Sequence, residues 1–98
     1  MLVELSRDHY GGMSIEPIGH DVRAKISAYL KSMKYAGAHE HPGVYLQDMS
    51  AIMQVNDDFA LTEEERDSLN GGWPVEKDVD TWLYLSYVGY NAAEALRL

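Results

Sequence analysis

Residues 21–36 carry the clearest structural pattern in the sequence, and they read DVRAKISAYLKSMKYA. Apolar residues recur in them every three or four positions, which is the period of one face of an α-helix. Asp21 is a suitable N-cap, and Gly37 is a suitable residue to end a helix. The stretch therefore predicts an amphipathic helix over about 21–36. Its outer face carries only basic charges: Arg23, Lys25, Lys31 and Lys34.

Three later stretches also predict helices. Residues 44–55 have apolar side chains at helical spacing, and a shorter helix over about 62–69 begins with Thr62 and Glu65 at the spacing of a capping box. The last helix begins near Asp78 or Asp80 and runs toward the C-terminus, with apolar side chains almost all the way round. A helix with two apolar sides lies at the centre of a fold or is covered by a partner.

The N-terminal segment predicts a different element. Leu2, Val3 and Leu5 suit a short strand, residues 13–15 suit its partner, and residues 10–12 (Tyr-Gly-Gly) suit the turn between them. Two strands are marginal alone, so this hairpin would have to pack on a helix. The predicted fold is mainly α: one domain over residues 1–98, built as a small bundle of about four helices, with or without the short N-terminal β-hairpin.

Composition narrows the function classes. The absence of cysteine excludes disulfides, thiolate metal sites and cysteine nucleophiles, and it favours a reducing compartment, so we expect a cytoplasmic protein. No stretch approaches the about 18 apolar residues of a membrane-spanning helix, and no export signal is visible. Sixteen acidic and eight basic residues give a net charge of −8. Such a surface repels phosphate backbones and anionic lipid, so we expect neither direct nucleic-acid binding nor membrane binding.

Motifs for catalysis are missing from the sequence. No serine lies in a G-x-S-x-G motif, and the glycine pairs at 11–12 and 71–72 lack the lysine of a phosphate-binding loop. The sequence therefore predicts a protein that is not an enzyme and needs no cofactor. One alternative is a small metal-binding protein using His20, His39 and His41, because imidazole and carboxylate suit a divalent ion. The H-E-x-x-H motif and the calcium-binding EF-hand loop are both absent.

Charge is segregated along the chain. Residues 57–80 contain nine acidic and two basic residues, a net charge of −7, whereas residues 22–35 contain four basic residues and no acid. One interpretation is that the two segments neutralise each other within the molecule. The other is that the acidic segment stays exposed and binds a protein with a basic surface, in the strong case as a mimic of a nucleic acid.

Aromatic residues are the second informative feature. The chain has seven tyrosines, two tryptophans and one phenylalanine, and tyrosine suits interfaces that also face water. Together with the acidic segment they give the candidate partner-binding residues: Asp57, Asp58, Glu63, Glu64, Asp67, Trp73, Trp82, Tyr84, Tyr87 and Tyr90.

These features predict a non-catalytic, acidic protein-binding module of the inhibitor, adaptor or immunity type. In size, acidity and lack of catalytic motifs the chain is similar to small phage or mobile-element accessory proteins that inhibit host machinery. The main alternative is a homodimer with a structural or regulatory role. Ser86, Gly89 and Ala93 form a stripe of small residues on the C-terminal helix, where a helix of a second copy could approach closely.

Overall fold

The fold is α+β, and the prediction of a mainly helical bundle is wrong. The computed structural model describes residues 1–32 and 43–88. In these ranges four strands form one antiparallel sheet in the order β3-β2-β1-β4, and four helices accompany it. The strands are β1 (Leu2–Arg7), β2 (Met13–Pro17), β3 (Val44–Leu46) and β4 (Val75–Asp78). The helices are α1 (His20–Ser32), α2 (Met49–Asp58), α3 (Glu63–Asn70) and α4, whose described part covers residues 81–88.

The N-terminal hairpin that the sequence predicts is confirmed. Strands β1 and β2 pair antiparallel, with Leu5 opposite Ile15. The carboxylate of Asp8 accepts hydrogen bonds of 2.9 Å from the backbone N–H groups of Tyr10 and Gly12, which closes the loop. Gly11 has a φ of 88°, a left-handed conformation that glycine adopts without steric cost.

Strand β3 replaces the first part of a predicted helix. Val44 and Leu46 are buried and Tyr45 between them is exposed, which is the alternation of a strand. Helix α2 begins only after Asp48, whose side chain accepts a hydrogen bond from the N–H of Ser50 at 2.9 Å. The helix predicted over 44–55 was therefore wrong at its start, since three residues are too few to distinguish the two periods.

Strand β4 was missed entirely. Its sequence, VEKD, contains three charged residues of types that are depleted in strands. Pairing with β1 specifies it instead, with Val75 opposite Leu5 and Lys77 opposite Val3. A tertiary interaction therefore overrides the local preference of this segment.

The starts of α3 and α4 agree with the sequence, whereas α1 begins before its predicted N-cap, Asp21, which lies in the first turn of that helix. Thr62 is the N-cap of α3, and both hydrogen bonds of its capping box with Glu65 are present. Asp80 precedes α4, and its side chain accepts a hydrogen bond from the N–H of Leu83 at 3.0 Å. The predicted end of the first helix, at residues 33–36, lies outside the described residues.

One face of the sheet is buried and the other is open. Side chains alternate along β1, β2 and β3, so the inner face contributes buried apolar residues, and the outer face contributes mostly polar ones together with Leu2 and Tyr45. The buried residues of the sheet and helices form one core: Val3, Leu5, Met13, Ile15, Ile26, Val44, Leu46, Ile52, Val55, Phe59, Leu61, Leu69, Val79, Tyr84, Tyr87 and Val88. Among the described residues, no helix has the length and apolar character needed to cross a membrane.

Candidate protein-binding surface

Four of the nine carboxylates in residues 57–80 are used within the molecule. Glu65 forms an ion pair with Lys77 at 2.8 Å, and Asp78 forms one with the N-terminal amine at 2.9 Å. Asp58 accepts a hydrogen bond from the hydroxyl of Tyr87 at 2.6 Å, and Asp80 caps α4. The bond from Lys77, followed by the bond from Thr62, lowers the pKa of Glu65, which stays ionised at neutral pH.

The other five carboxylates are exposed. Within residues 1–32 and 43–88 their side chains form no ion pair or hydrogen bond, and they are Asp57, Glu63, Glu64, Asp67 and Glu76. Glu63 and Glu64 lie in the first turn of α3, where the helix dipole favours negative charge. Asp67 follows them by four and three positions and therefore shares their side of the helix. This side of α3 presents three exposed carboxylates that have no partner in the described part of the chain.

Within residues 1–32 and 43–88, α1 makes no ion pair with this acidic segment. Arg23 of α1 forms an ion pair with Glu16 of β2 at 3.3 Å. Lys25 and Lys31 are exposed, and in the described part of the chain no ion pair joins α1 to residues 57–80. The remaining predicted basic residue, Lys34, lies outside that part. The described contacts therefore favour the interpretation in which the acidic segment stays available.

A second set of carboxylates lies on the open face of the sheet, and the sequence analysis missed it. Glu4 of β1 is directly opposite Glu16 of β2 on one side and Glu76 of β4 on the other. All three side chains are exposed. We call this set the glutamate row. The alternation of residues 2–7 and 13–17 hinted at two of its members, but the third depends on β4.

The aromatic candidates divide into two groups. Trp73 and Trp82 are 71% and 75% exposed, whereas Tyr84 and Tyr87 are 0% and 9% exposed and belong to the core. Burial raises the pKa of both tyrosine hydroxyls far above their usual value, and for Tyr87 the bond to Asp58 acts in the same direction. These two rings belong to the core: the hydroxyl of Tyr84 donates to the carbonyl of Ile15 in β2 at 3.5 Å, and the ring of Tyr87 packs edge-on against Phe59. Tyr90 lies outside the described residues.

The backbone of Trp73 is held by a hydrogen bond and by its two neighbours. Its N–H donates to the carbonyl of Ser68 at 2.9 Å, which ties it to the end of α3. Gly72 before it has a φ of 89°, and Pro74 after it has a fixed φ. The exposed indole of Trp73 therefore lies in the turn between α3 and β4, where the residues before and after it limit the backbone conformation.

Most of the residues that the sequence suggests for a metal site or for a homodimer contact lie outside the described part of the chain. His20 is exposed at the start of α1, while His39 and His41 lie outside the described ranges. Residues 1–32 and 43–88 contain no group of three or more His, Asp or Glu side chains arranged to hold a metal ion. In the stripe proposed for a homodimer, Ser86 is exposed on α4, but Gly89 and Ala93 are also outside the described part.

Comparisons with protein-family models, with curated proteins and with solved structures found no match. Function is therefore inferred from the chain's own charges, exposure and contacts. The features that bear on it are the exposed carboxylates of α3, the glutamate row and the exposed indole of Trp73.

Proposed function

We propose that this chain is a non-catalytic protein-binding module of the inhibitor, adaptor or immunity type, whose partner presents a surface rich in lysine and arginine. The observation that supports the proposal most directly is the set of exposed carboxylates on α3 that have no intramolecular cation among the described residues. Carboxylates held in this way are already hydrated and charged, so a basic partner needs to break no internal ion pair to reach them.

Electrostatics would act mainly on the encounter with the partner. A surface of one sign raises the association rate of a partner of the opposite sign, and the effect falls steeply as salt is added. Single exposed ion pairs contribute only about 0.2–1 kcal/mol each, so several must act together. Trp73 would add the apolar contact area that charges alone do not supply, since tryptophan is enriched among residues that dominate binding energy.

The test is a binding measurement with three charges removed from α3. We would label a nona-arginine peptide and measure its affinity for the wild-type chain and for the variant E63Q/E64Q/D67N, at low and at physiological salt. The variant keeps Thr62 and Glu65, so the capping box and the start of α3 are preserved. We expect binding about tenfold weaker, with a shallower salt dependence.

The control variant is W73A, which changes no charge. It should weaken binding while leaving the salt dependence close to that of the wild-type chain, because it removes the stacking of arginine on the indole and no formal charge. If E63Q/E64Q/D67N binds the peptide as tightly as the wild-type chain and with the same salt dependence, the carboxylates of α3 do not capture basic partners and the proposal is wrong.

A further inference from the structure

The open face of the sheet carries charge that the described fold does not relieve. Cross-strand partners in an antiparallel sheet have Cβ atoms about 4.5–5.5 Å apart, and like charges at this distance are destabilising. Glu4 has such a neighbour on both sides, namely Glu16 and Glu76. Arg23 balances Glu16, but in the described residues neither Glu4 nor Glu76 has a cationic partner.

The same face also has apolar positions. Leu2 of β1 and Tyr45 of β3 are each 41% exposed and point outward with the glutamate row. The hydroxyl of Tyr45 donates a hydrogen bond to the carboxylate of Asp8, which restricts the ring. Acidic side chains between two half-exposed apolar ones form an amphipathic surface, and the described helices leave it uncovered.

We infer that this open face is the docking surface of the partner, and that its occupant is a helix carrying arginine or lysine on one side. The inference rests on the proposed function and adds to it the surface and the shape of the ligand. Charge complementarity decides the sign of the occupant: three exposed carboxylates, one of them already paired with Arg23, exclude an acidic segment and favour a basic one.

The spacing favours a helix over an extended segment. Neighbouring strands lie about 4.7–4.9 Å apart, so the glutamate row presents carboxylates at nearly this interval across the strands. Residues three or four apart on a helix have Cβ atoms about 5–6 Å apart, whereas residues two apart on an extended strand are about 6.6 Å apart. A basic helix crossing the strands therefore matches the row more closely, and its apolar residues would contact Leu2 and Tyr45.

The test compares two charge-matched variants. E4Q/E76Q removes two carboxylates from the glutamate row, and E63Q/E64Q removes two from α3. Each variant changes the net charge equally, and none of the four side chains makes an ion pair in the described structure. The probes are an alanine-based helical peptide with arginines four positions apart and a peptide of identical composition whose arginines are distributed around the helix.

We expect E4Q/E76Q to weaken binding of the one-sided peptide about two- to fivefold per charge removed, with a smaller loss in E63Q/E64Q. In the wild-type chain the one-sided peptide should also bind more tightly than the distributed one. Thermal unfolding should show E4Q/E76Q at least as stable as the wild-type chain, because repulsion is removed. A purely structural role of these glutamates would instead lower its stability.

Each other outcome overturns a defined statement. A loss confined to E63Q/E64Q, or an equal loss in both variants, would overturn the sheet face as the docking surface and leave the proposed function standing. No loss in either variant would overturn both. Equal affinity for the two peptides would overturn the helical occupant.

Discussion

Replacing Glu4 with lysine should make the protein more stable, even though Glu4 is an exposed residue on the open face of the sheet. In the wild-type chain Glu4 faces Glu16 on one neighbouring strand and Glu76 on the other. E4K converts both repulsive pairs into attractive pairs. It leaves the buried neighbours Val3 and Leu5 unchanged, and lysine and glutamate have similar strand propensities.

The magnitude follows from the register. Two unit charges about 5 Å apart in water interact by about 0.8 kcal/mol, and screening at physiological salt reduces this to about half. Reversing the charge at position 4 changes the pair with Glu76 from repulsive to attractive, which amounts to about 0.8 kcal/mol. The pair with Glu16 contributes less, because Arg23 already balances that carboxylate, so the two pairs together give about 1–1.5 kcal/mol. We therefore expect the free energy of unfolding to rise by about 1–1.5 kcal/mol, or the melting temperature by about 5–10 °C.

The assay is thermal and urea unfolding of the wild-type chain, E4K and E4Q, at low salt and in strong salt. E4Q should give about half of the gain, because it removes repulsion without adding attraction. The charge-matched control is D21K, since Asp21 is exposed in the first turn of α1, where a cation is unfavourable. D21K should lower stability. Gains of similar size in E4K and D21K, or a gain in E4K that strong salt does not reduce, would refute the reasoning.

Two further predictions concern contacts inside the fold. Tyr87→Phe removes a hydrogen bond of 2.6 Å to the carboxylate of Asp58. In urea titrations it should lower the free energy of unfolding by about 1–3 kcal/mol. The control Tyr10→Phe, at a ring that is 86% exposed, should change that free energy by less than about 0.5 kcal/mol. Equal effects would contradict the assigned role of that bond. The pKa of Glu65 is lowered in the folded chain, mainly by Lys77, so its contribution to stability is present above the usual pKa of 4.5 and is lost as the pH falls through the folded value. The stability difference between the wild-type chain and K77M should thus be largest at neutral pH and shrink in acid, and a difference independent of pH would contradict the linkage.

Local signals explain which parts of the fold could be predicted. The hairpin and α3 are each specified by local sequence. The hairpin has a glycine-rich turn between alternating strands, and α3 has the capping box of Thr62 and Glu65. Strand β3 is too short to show a period. Strand β4 is specified by its pairing with β1 and by the ion pair of Lys77 with Glu65, and neither is visible along the sequence. Because these two strands were not predicted, the fold was predicted to be a helical bundle, whereas it is a four-stranded sheet with helices.

The candidate surface also has a part that the sequence predicts and a part that it does not. The distribution of charge along the sequence located the acidic segment, which contains the exposed carboxylates of α3. The glutamate row required the strand register, which brings together residues 4, 16 and 76 from distant parts of the sequence. The sequence could not decide between core and interface for Tyr84 and Tyr87, because a helix with two apolar sides can bury either side. The contacts of Tyr84 with β2 and of Tyr87 with Phe59, which place both rings in the core, come from distant parts of the chain.

The central place of β1 means that the two halves of the sheet are held by different forces. Leu5 meets Ile15 ten positions along the chain, and it meets Val75 seventy positions along. Closing the longer loop costs more chain entropy, and the pairing partner brings little strand preference of its own. Both halves need the core, but the β4 half depends on it more than the hairpin half does. We therefore expect β4, the strand that carries Glu76, to separate from the sheet first when core packing is weakened.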